Sequence, residues 1–179
     1  MLFLRPMTEA DLPLVEAWLG LPHVAHWWTP DTTAAEEIAK YRRRISPRER
    51  PATIMLMVIW EGGCIGWCQW YRWADYRAEA VAMAARDGEL GVDYAIGDPA
   101  WVGRGAGTTL VAALVTEARR HHPGAGILAA PAAANAASRR VLEKNGFELM
   151  AVRPVATEPS DAPMAIYRLP ASPPGTAES

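Results

Sequence analysis

WVGRGAGTTLV, residues 101–111, sets three glycines and an arginine within five positions and then turns abruptly apolar. Before it, ELGVDYAI (89–96) alternates as a strand does. Leu90, Val92, Tyr94 and Ile96 face one side, and Glu89, Gly91, Asp93 and Ala95 the other. After it, Leu110, Val111, Leu114, Val115 and Ala118 recur at helical spacing within 107–121. A glycine loop between a strand and a helix leaves backbone N–H groups at a helix N-terminus, where the dipole favours an anion. Glycines also let a backbone approach a ligand closely. The same spacing serves a plain strand-to-helix turn. No G-K-[ST] ending makes it a Walker loop, and G-x-G-x-x-G does not fit in order.

Outward from the loop, the chain reads as alternating strands and helices. Leu2–Arg5 is a short strand, and Thr8 with Asp11 begins a helix carrying Leu12, Val15, Trp18 and Leu19. LPHVAHWWTP (21–30) reads as a loop, and Thr33–Arg44 as a second helix. TIMLMVIW (53–60), a turn at Glu61-Gly62-Gly63, and Cys64–Trp73 form a hairpin. Residues 74–88 are alanine-rich and charged, a loop with room for a short helix. Gly126–Ala130 is a strand, Asn135 caps a helix to about Lys144, and Gly146 stops it. Strands follow near Phe147–Val152 and Met164–Leu169. The expectation is one domain over residues 1–169 and a disordered tail, PASPPGTAES, over 170–179.

Composition narrows the function. The chain has 179 residues, half of them apolar, with a net charge of −2. That balance gives no electrostatic reason to expect nucleic acid or an anionic membrane as partner. No apolar run approaches the roughly 20 residues of a membrane span, and the opening residues lack the layout of a secretory leader. A cytoplasmic location is therefore expected. Cys64 and Cys68 lie on one strand, roughly 13 Å apart, too far for a disulfide, and C-x3-C is a poor zinc pattern. No metal site is expected. Seven of the eight tryptophans, among them Trp27, Trp28, Trp73 and Trp101, fall from position 27 to the glycine loop. Packing accounts for most of them; a flat-walled cleft for a ring-built ligand is the sharper reading.

Val102-Gly103-Arg104-Gly105-Ala106-Gly107 resembles the acetyl-coenzyme-A loop of the GCN5-related N-acetyltransferases, [QR]-x-x-G-x-[GA], with Val102 in place of the first Gln or Arg. Asn135 to Gly146-Phe147 resembles the second signature of that family, and FLRPMTEADLPLVEAWL (3–19) its first strand and helix. The resemblance implies an α/β fold with a central, mostly antiparallel mixed sheet flanked by helices. Within the family the chain is most similar to aminoglycoside 6'-N-acetyltransferases, through HVAHWWTPD (23–31), IGWCQWY (65–71) and the stretch 91–115.

The resemblance carries expectations for the site. Acetyl-CoA would lie with its pyrophosphate on Arg104–Thr108, near Val102 and Gly103, and its pantetheine arm along Tyr94, Ala95 and Ile96. Asn135 and Arg139 would contact it from the second signature. Asp93 would be the catalytic base and Glu89 its substitute through a water, since an ammonium cannot attack a thioester before losing a proton. A polycationic ring-built acceptor would call on Trp27, Trp28, Trp73, Asp31, Glu79, Asp93 and Asp98, with Glu36, Glu37, Asp75 and Asp87 as further acids. Leu142 stands where many relatives carry a tyrosine that protonates the leaving thiolate, and Ala130-Pro131 where resistance enzymes carry Asp-Pro. Alternative acceptors are a siderophore lysine, a polyamine or a protein amine. A non-catalytic acyl-CoA-binding module is the reading from another class. A monomer and a homodimer are both compatible with the sequence.

Overall fold

The computed structural model describes residues 1–28, 31–46, 52–157 and 161–172. Its centre is a seven-stranded mixed sheet in the order β1-β2-β3-β4-β5-β7-β6. The strands are β1 (Leu2–Pro6), β2 (Thr53–Trp60), β3 (Gly63–Arg72), β4 (Leu90–Ile96), β5 (Ile127–Ala129), β6 (Glu148–Arg153) and β7 (Met164–Leu169). All neighbours are antiparallel except β4 and β5, which run parallel. The helices are α1 (Leu12–Leu19), α2 (Pro22–Trp28), α3 (Ala34–Arg44), α4 (Arg77–Met83), α5 (Ala106–His121) and α6 (Ala136–Lys144).

Strand alternation divides the apolar residues between two cores. Leu56 and Val58 of β2 join Leu90, Leu110, Leu114 and Leu142 under α5 and α6. Met55, Met57 and Ile59 of the same strand join Val15, Trp18, Ile38 and Tyr41 under α1–α3. Period-two patterning therefore makes one sheet serve helices on both faces. The strand β4 separates its side chains the same way: Ala95 packs toward α1–α3 and Val92 toward α5–α6. Neighbours Asp93 and Tyr94 thus point to opposite faces.

Local chemistry explains several boundaries. Glu61 and Gly62 both have positive φ, 51° and 85°, and close the β2–β3 hairpin with a two-residue turn whose twist matches the strands. Thr33 and Glu36 form a capping box at the head of α3, with Glu36 N donating to Thr33 Oγ1 at 3.2 Å and Thr33 N to Glu36 Oε2 at 2.8 Å. Asp11, held by Arg5 at 2.6 Å and by Thr8, keeps its carboxyl well down, at about 2. Gly91 leaves room for the ring of Tyr71 across the β3–β4 pair, which a Cβ would overlap.

One sequence expectation changes. The stretch read as a loop at 21–30 contains α2, which opens at Pro22 and buries only Val24, too little apolar surface to leave a helical period. Its last two residues, 29 and 30, lie outside the described chain. The 74–88 segment does hold a short helix, α4, whose Met83 packs with Trp73 beneath it. Within the stretch 170–179, Ser172 N donates to Gly124 O at 3.0 Å and Arg119 reaches Pro170 O at 2.7 Å, while 173–179 lie outside the described residues. Cys64 and Cys68 are both free. Among the described residues no helix is long and apolar enough to cross a membrane.

Candidate active site

The strands β4 and β5 pair only at Leu90–Ile127 and Gly91–Leu128, then separate. Beyond that point a cleft of about 1200 Å³ opens between the strand ends, α2, α3, α4, α6 and the glycine loop. A crevice beyond the carboxyl ends of parallel strands is the usual ligand site of such sheets. Its floor includes Asp93, Tyr94, Ala95 and Ile96 from the part of β4 that β5 leaves uncovered. His23 of α2 closes one side, its Nε2 3.2 Å from Ile96 O.

The loop 103–107 forms the other end. Gly103 and Gly105 have φ of 75° and 82°, and a Cβ at either would meet nothing within 4 Å. The backbone there is left-handed and open to a ligand, a conformation glycine adopts without strain. Gly105 is the N-cap of the 16-residue α5, and its carbonyl takes up the Thr108 N–H at 3.0 Å, which leaves the N–H groups of Ala106 and Gly107 without an acceptor in the helix. Gly103, Gly105, Gly107, Thr108 and Val102 line the cleft, as does Asn135, whose Oδ1 caps α6 by accepting from Ser138 N at 3.1 Å. On α6, Arg140 and Lys144 share the face of Ala137 and Val141 and line the same cleft. An open nest of N–H groups flanked by two cations suits a phosphate-bearing nucleotide.

Around Asp93 the side chains are tightly connected. Gln69 stands directly across from it in the β3–β4 register, and its Nε2 donates to Asp93 Oδ2 at 2.6 Å. Arg44 Nη1 in turn donates to Gln69 Oε1 at 2.8 Å, and Lys40 pairs with Glu37 at 3.1 Å. Burial pushes the Asp93 carboxyl above its ordinary range, against the Gln69 hydrogen bond and the Arg44 and Lys40 charges. A carboxylate so placed can accept a proton from an amine near neutral pH.

The other predicted residues divide into two groups. Trp27, Trp28, Trp73, Asp31, Glu37 and Glu79 line the cleft. Trp28 Nε1 donates to Tyr41 Oη, which ties α2 to α3. Glu89 does not reach the cleft: it precedes β4, pairs with Arg168 at 2.8 Å and accepts from Arg86 N at 2.7 Å. Asp98 Oδ1 caps the turn before the loop through Ala100 N at 2.9 Å. Asp75 is paired with Arg72 at 2.9 Å, Glu36 is held in its capping box, and Asp87 lines a separate groove with Glu89. Arg139 turns away to Tyr167 Oη at 3.0 Å, Ala106 is buried in the core, and Arg104 does not line the cleft. Gln69, Lys40, Arg44, Arg140 and Lys144 were not singled out from sequence. The i, i+3, i+4, i+7 spacing of Glu37, Lys40, Tyr41 and Arg44 was the available signal.

A sheet parted between parallel strands, with an open glycine cradle at the head of the following helix and a buried carboxylate on the parted strand, defines a class. The family model described as an acetyltransferase (GNAT) domain matches residues 7–153, and the chain belongs to this family. It is similar to the aminoglycoside N(6')-acetyltransferase type 1 of Klebsiella pneumoniae and to that of Serratia marcescens, each 29% identical over 81% of this chain and 73% of the relative. Its fold superposes on aminoglycoside acetyltransferase AAC(6')-Ib in complex with coenzyme A, with a TM-score of 0.74 at 27% identity over 95% of both chains. The complex of that enzyme with coenzyme A and kanamycin gives 0.73 at the same identity and coverage.

Proposed function

We propose that the protein transfers an acetyl group from acetyl-CoA to a primary amine of a cationic small molecule, the 6'-amine of an aminoglycoside, with residues 1–169 acting as one catalytic domain. The observation that carries the reading is Asp93, a desolvated carboxylate held by Gln69 where the sheet parts. The acceptor class is supported by relatives at 27–29% identity whose names or bound ligands are aminoglycosides.

Bound acetyl-CoA would supply an acyl thioester, a carbonyl activated toward an amine. The N–H groups of Gly103, Gly105 and Gly107 at the cleft mouth hold its pyrophosphate, and Arg140 and Lys144 add positive charge for its phosphates. The uncovered edge Asp93–Ile96 receives the pantetheine arm, and backbone N–H groups there polarise the carbonyl. Asp93 attracts the acceptor's ammonium and takes its proton. Transfer is direct, because Cys68 is fully buried and neither cysteine lines the cleft. Trp27, Trp28 and Trp73 offer flat faces to sugar rings, and Asp31, Glu37 and Glu79 offer carboxylates to the remaining amines.

One observation favours a second reading. Lys40 and Arg44 face the same cleft, and two cations beside Asp93 suit an acceptor that carries a carboxylate near its amine, such as a siderophore lysine. Thiol release from acetyl-CoA, followed with purified protein against kanamycin, tobramycin, lysine derivatives and spermidine, separates the two. Turnover is expected with aminoglycosides bearing a free 6'-amine. Silence with all of them overturns that acceptor, and turnover with a lysine derivative instead selects the second.

A further inference from the structure

We propose that Tyr94, paired with Ser138, gives the proton that the coenzyme A sulfur takes up when the acyl group leaves. The inference rests on the acetyl-CoA reading above and assigns the second proton transfer to a residue of β4. Breaking a thioester C–S bond leaves a thiolate, and a thiol with a pKa near 8.5 ends mostly protonated at neutral pH. A donor for that proton must lie in the cleft, be neutral, and sit at the parted strand.

Four tyrosines line the cleft, and three are otherwise engaged. Tyr41, on the inner face of α3, is buried with Trp28 on its hydroxyl. Tyr76 shares a 2.5 Å hydrogen bond with Thr53, and Tyr71 and Tyr76 pack edge-on to each other beside Trp73. Tyr94 alone belongs to the uncovered stretch of β4. Its Oη lies 2.7 Å from Ser138 Oγ and donates toward Ser138 O at 3.2 Å. One turn further along α6, Leu142 is fully buried and offers no proton.

Because consecutive strand residues project to opposite faces, Asp93 and Tyr94 place a proton acceptor on one side of β4 and a proton donor on the other. Burial holds the Tyr94 phenol up to about 12, the Ser138 hydrogen bond opposing, so it stays protonated through the neutral range. The proton count closes. As the amine nitrogen forms the C–N bond, Asp93 takes an N–H proton and passes it to water. As the C–S bond breaks, the sulfur keeps the bonding pair and Tyr94 Oη gives it a proton. Tyr94 recovers one from water, while the Ser138 hydroxyl steadies the transient phenolate. The net products are one amide and one thiol. Tyr94 is then a catalytic residue and Ser138 a positioning residue.

The test compares binding of coenzyme A and desulfo-coenzyme A by calorimetry, which needs no acceptor. Wild-type protein should prefer coenzyme A by roughly 3- to 10-fold, the yield of one hydrogen bond to the sulfur. Tyr94→Phe should abolish that preference while leaving desulfo-coenzyme A affinity and thermal midpoint unchanged. With an accepted amine, its kcat should fall about 10²-fold with little change in KM for acetyl-CoA. Ser138→Ala should fall between wild type and Tyr94→Phe in both readouts. A Tyr94→Phe protein that keeps the preference, turns over at the wild-type rate, or weakens both ligands equally overturns the proposal. Equal weakening would make the phenol a brace between β4 and α6. Wild-type protein that binds neither ligand would instead defeat the acetyl-CoA reading itself.

Discussion

Glu89 and Asp93 are both carboxylates four residues apart, and simple alternation puts them on the same face, Asp93 within β4 and Glu89 just before it. Their surroundings differ completely. Glu89 sits where β4 is about to pair with β5, its side chain 8% exposed against an Arg168 side chain 10% exposed. The Arg86 N–H saturates it further. Asp93 lies beyond the parting, with an amide as its hydrogen-bond partner and cations held one residue away. A carboxylate matched by a buried guanidinium is committed to the fold; one desolvated and opposed by an amide keeps its basicity for a ligand. Availability is decided by which strand neighbours the residue, and alternation along β4 carries no information about that.

The largest effect expected is on the committed side. Glu89→Ala should lower unfolding free energy by about 3–5 kcal/mol, because the buried Arg168 would keep only the Ala84 carbonyl, at 2.9 Å. Chemical denaturation measures the loss directly. Turnover per folded molecule should stay near wild type. A Glu89→Ala protein of normal stability and no activity would reverse the comparison.

On the available side, Asp93→Asn should cut kcat/KM by about 10²-fold, some 2.7 kcal/mol of transition-state stabilisation. Its stability should move the other way. The folded pKa of Asp93 is raised, so the stability linked to it is present below the unfolded value, near 4, and lost as pH rises through the folded value. Asn removes that loss while still accepting from Gln69. The variant should therefore melt higher than wild type at neutral pH, with the gap closing toward pH 4. For the wild type, the acidic limb of kcat/KM should lie above the ordinary carboxylate range. A limb at pH 4 would mean that some other group titrates.

Local chemistry was the most legible part of this molecule. The glycine loop, the Thr8–Asp11 capping box and the β2–β3 turn are each written within a few residues, and each appears in place. Pairings across long separations were not legible. Arg168 lies 79 residues from Glu89, and nothing in ELGVDYAI announces it. Gln69 faces Asp93 through a register that depends on how the β3–β4 connection folds. The helix α2 was missed because seven residues with one buried apolar side chain leave no period to read. Lys40 and Arg44 lie on a helix whose sequence does not say which face meets the sheet, and in the folded chain both line the cleft, Arg44 through Gln69 of β3. The candidate site was thus half visible: its loop, its aspartate and its aromatic wall, without the network that tunes them.

That network offers the smallest and most discriminating test. Arg44 fixes the Gln69 amide with its oxygen toward the guanidinium and its nitrogen toward Asp93, and its charge pulls the Asp93 pKa down. Arg44→Met should therefore shift the acidic limb of kcat/KM to higher pH, by up to about one unit, since a single charge screened by intervening groups acts with about 1 kcal/mol. Removing a positive charge from the cleft should also lower KM for a polycationic acceptor by up to about fivefold, within the same energy. The two effects oppose each other at acid pH and separate at alkaline pH, where only the KM change survives. For an acceptor bearing a carboxylate beside its amine, the KM change reverses sign, because Arg44 would then be the partner lost. An unchanged limb would remove Asp93 from the rate profile, and with it the contrast between the two carboxylates.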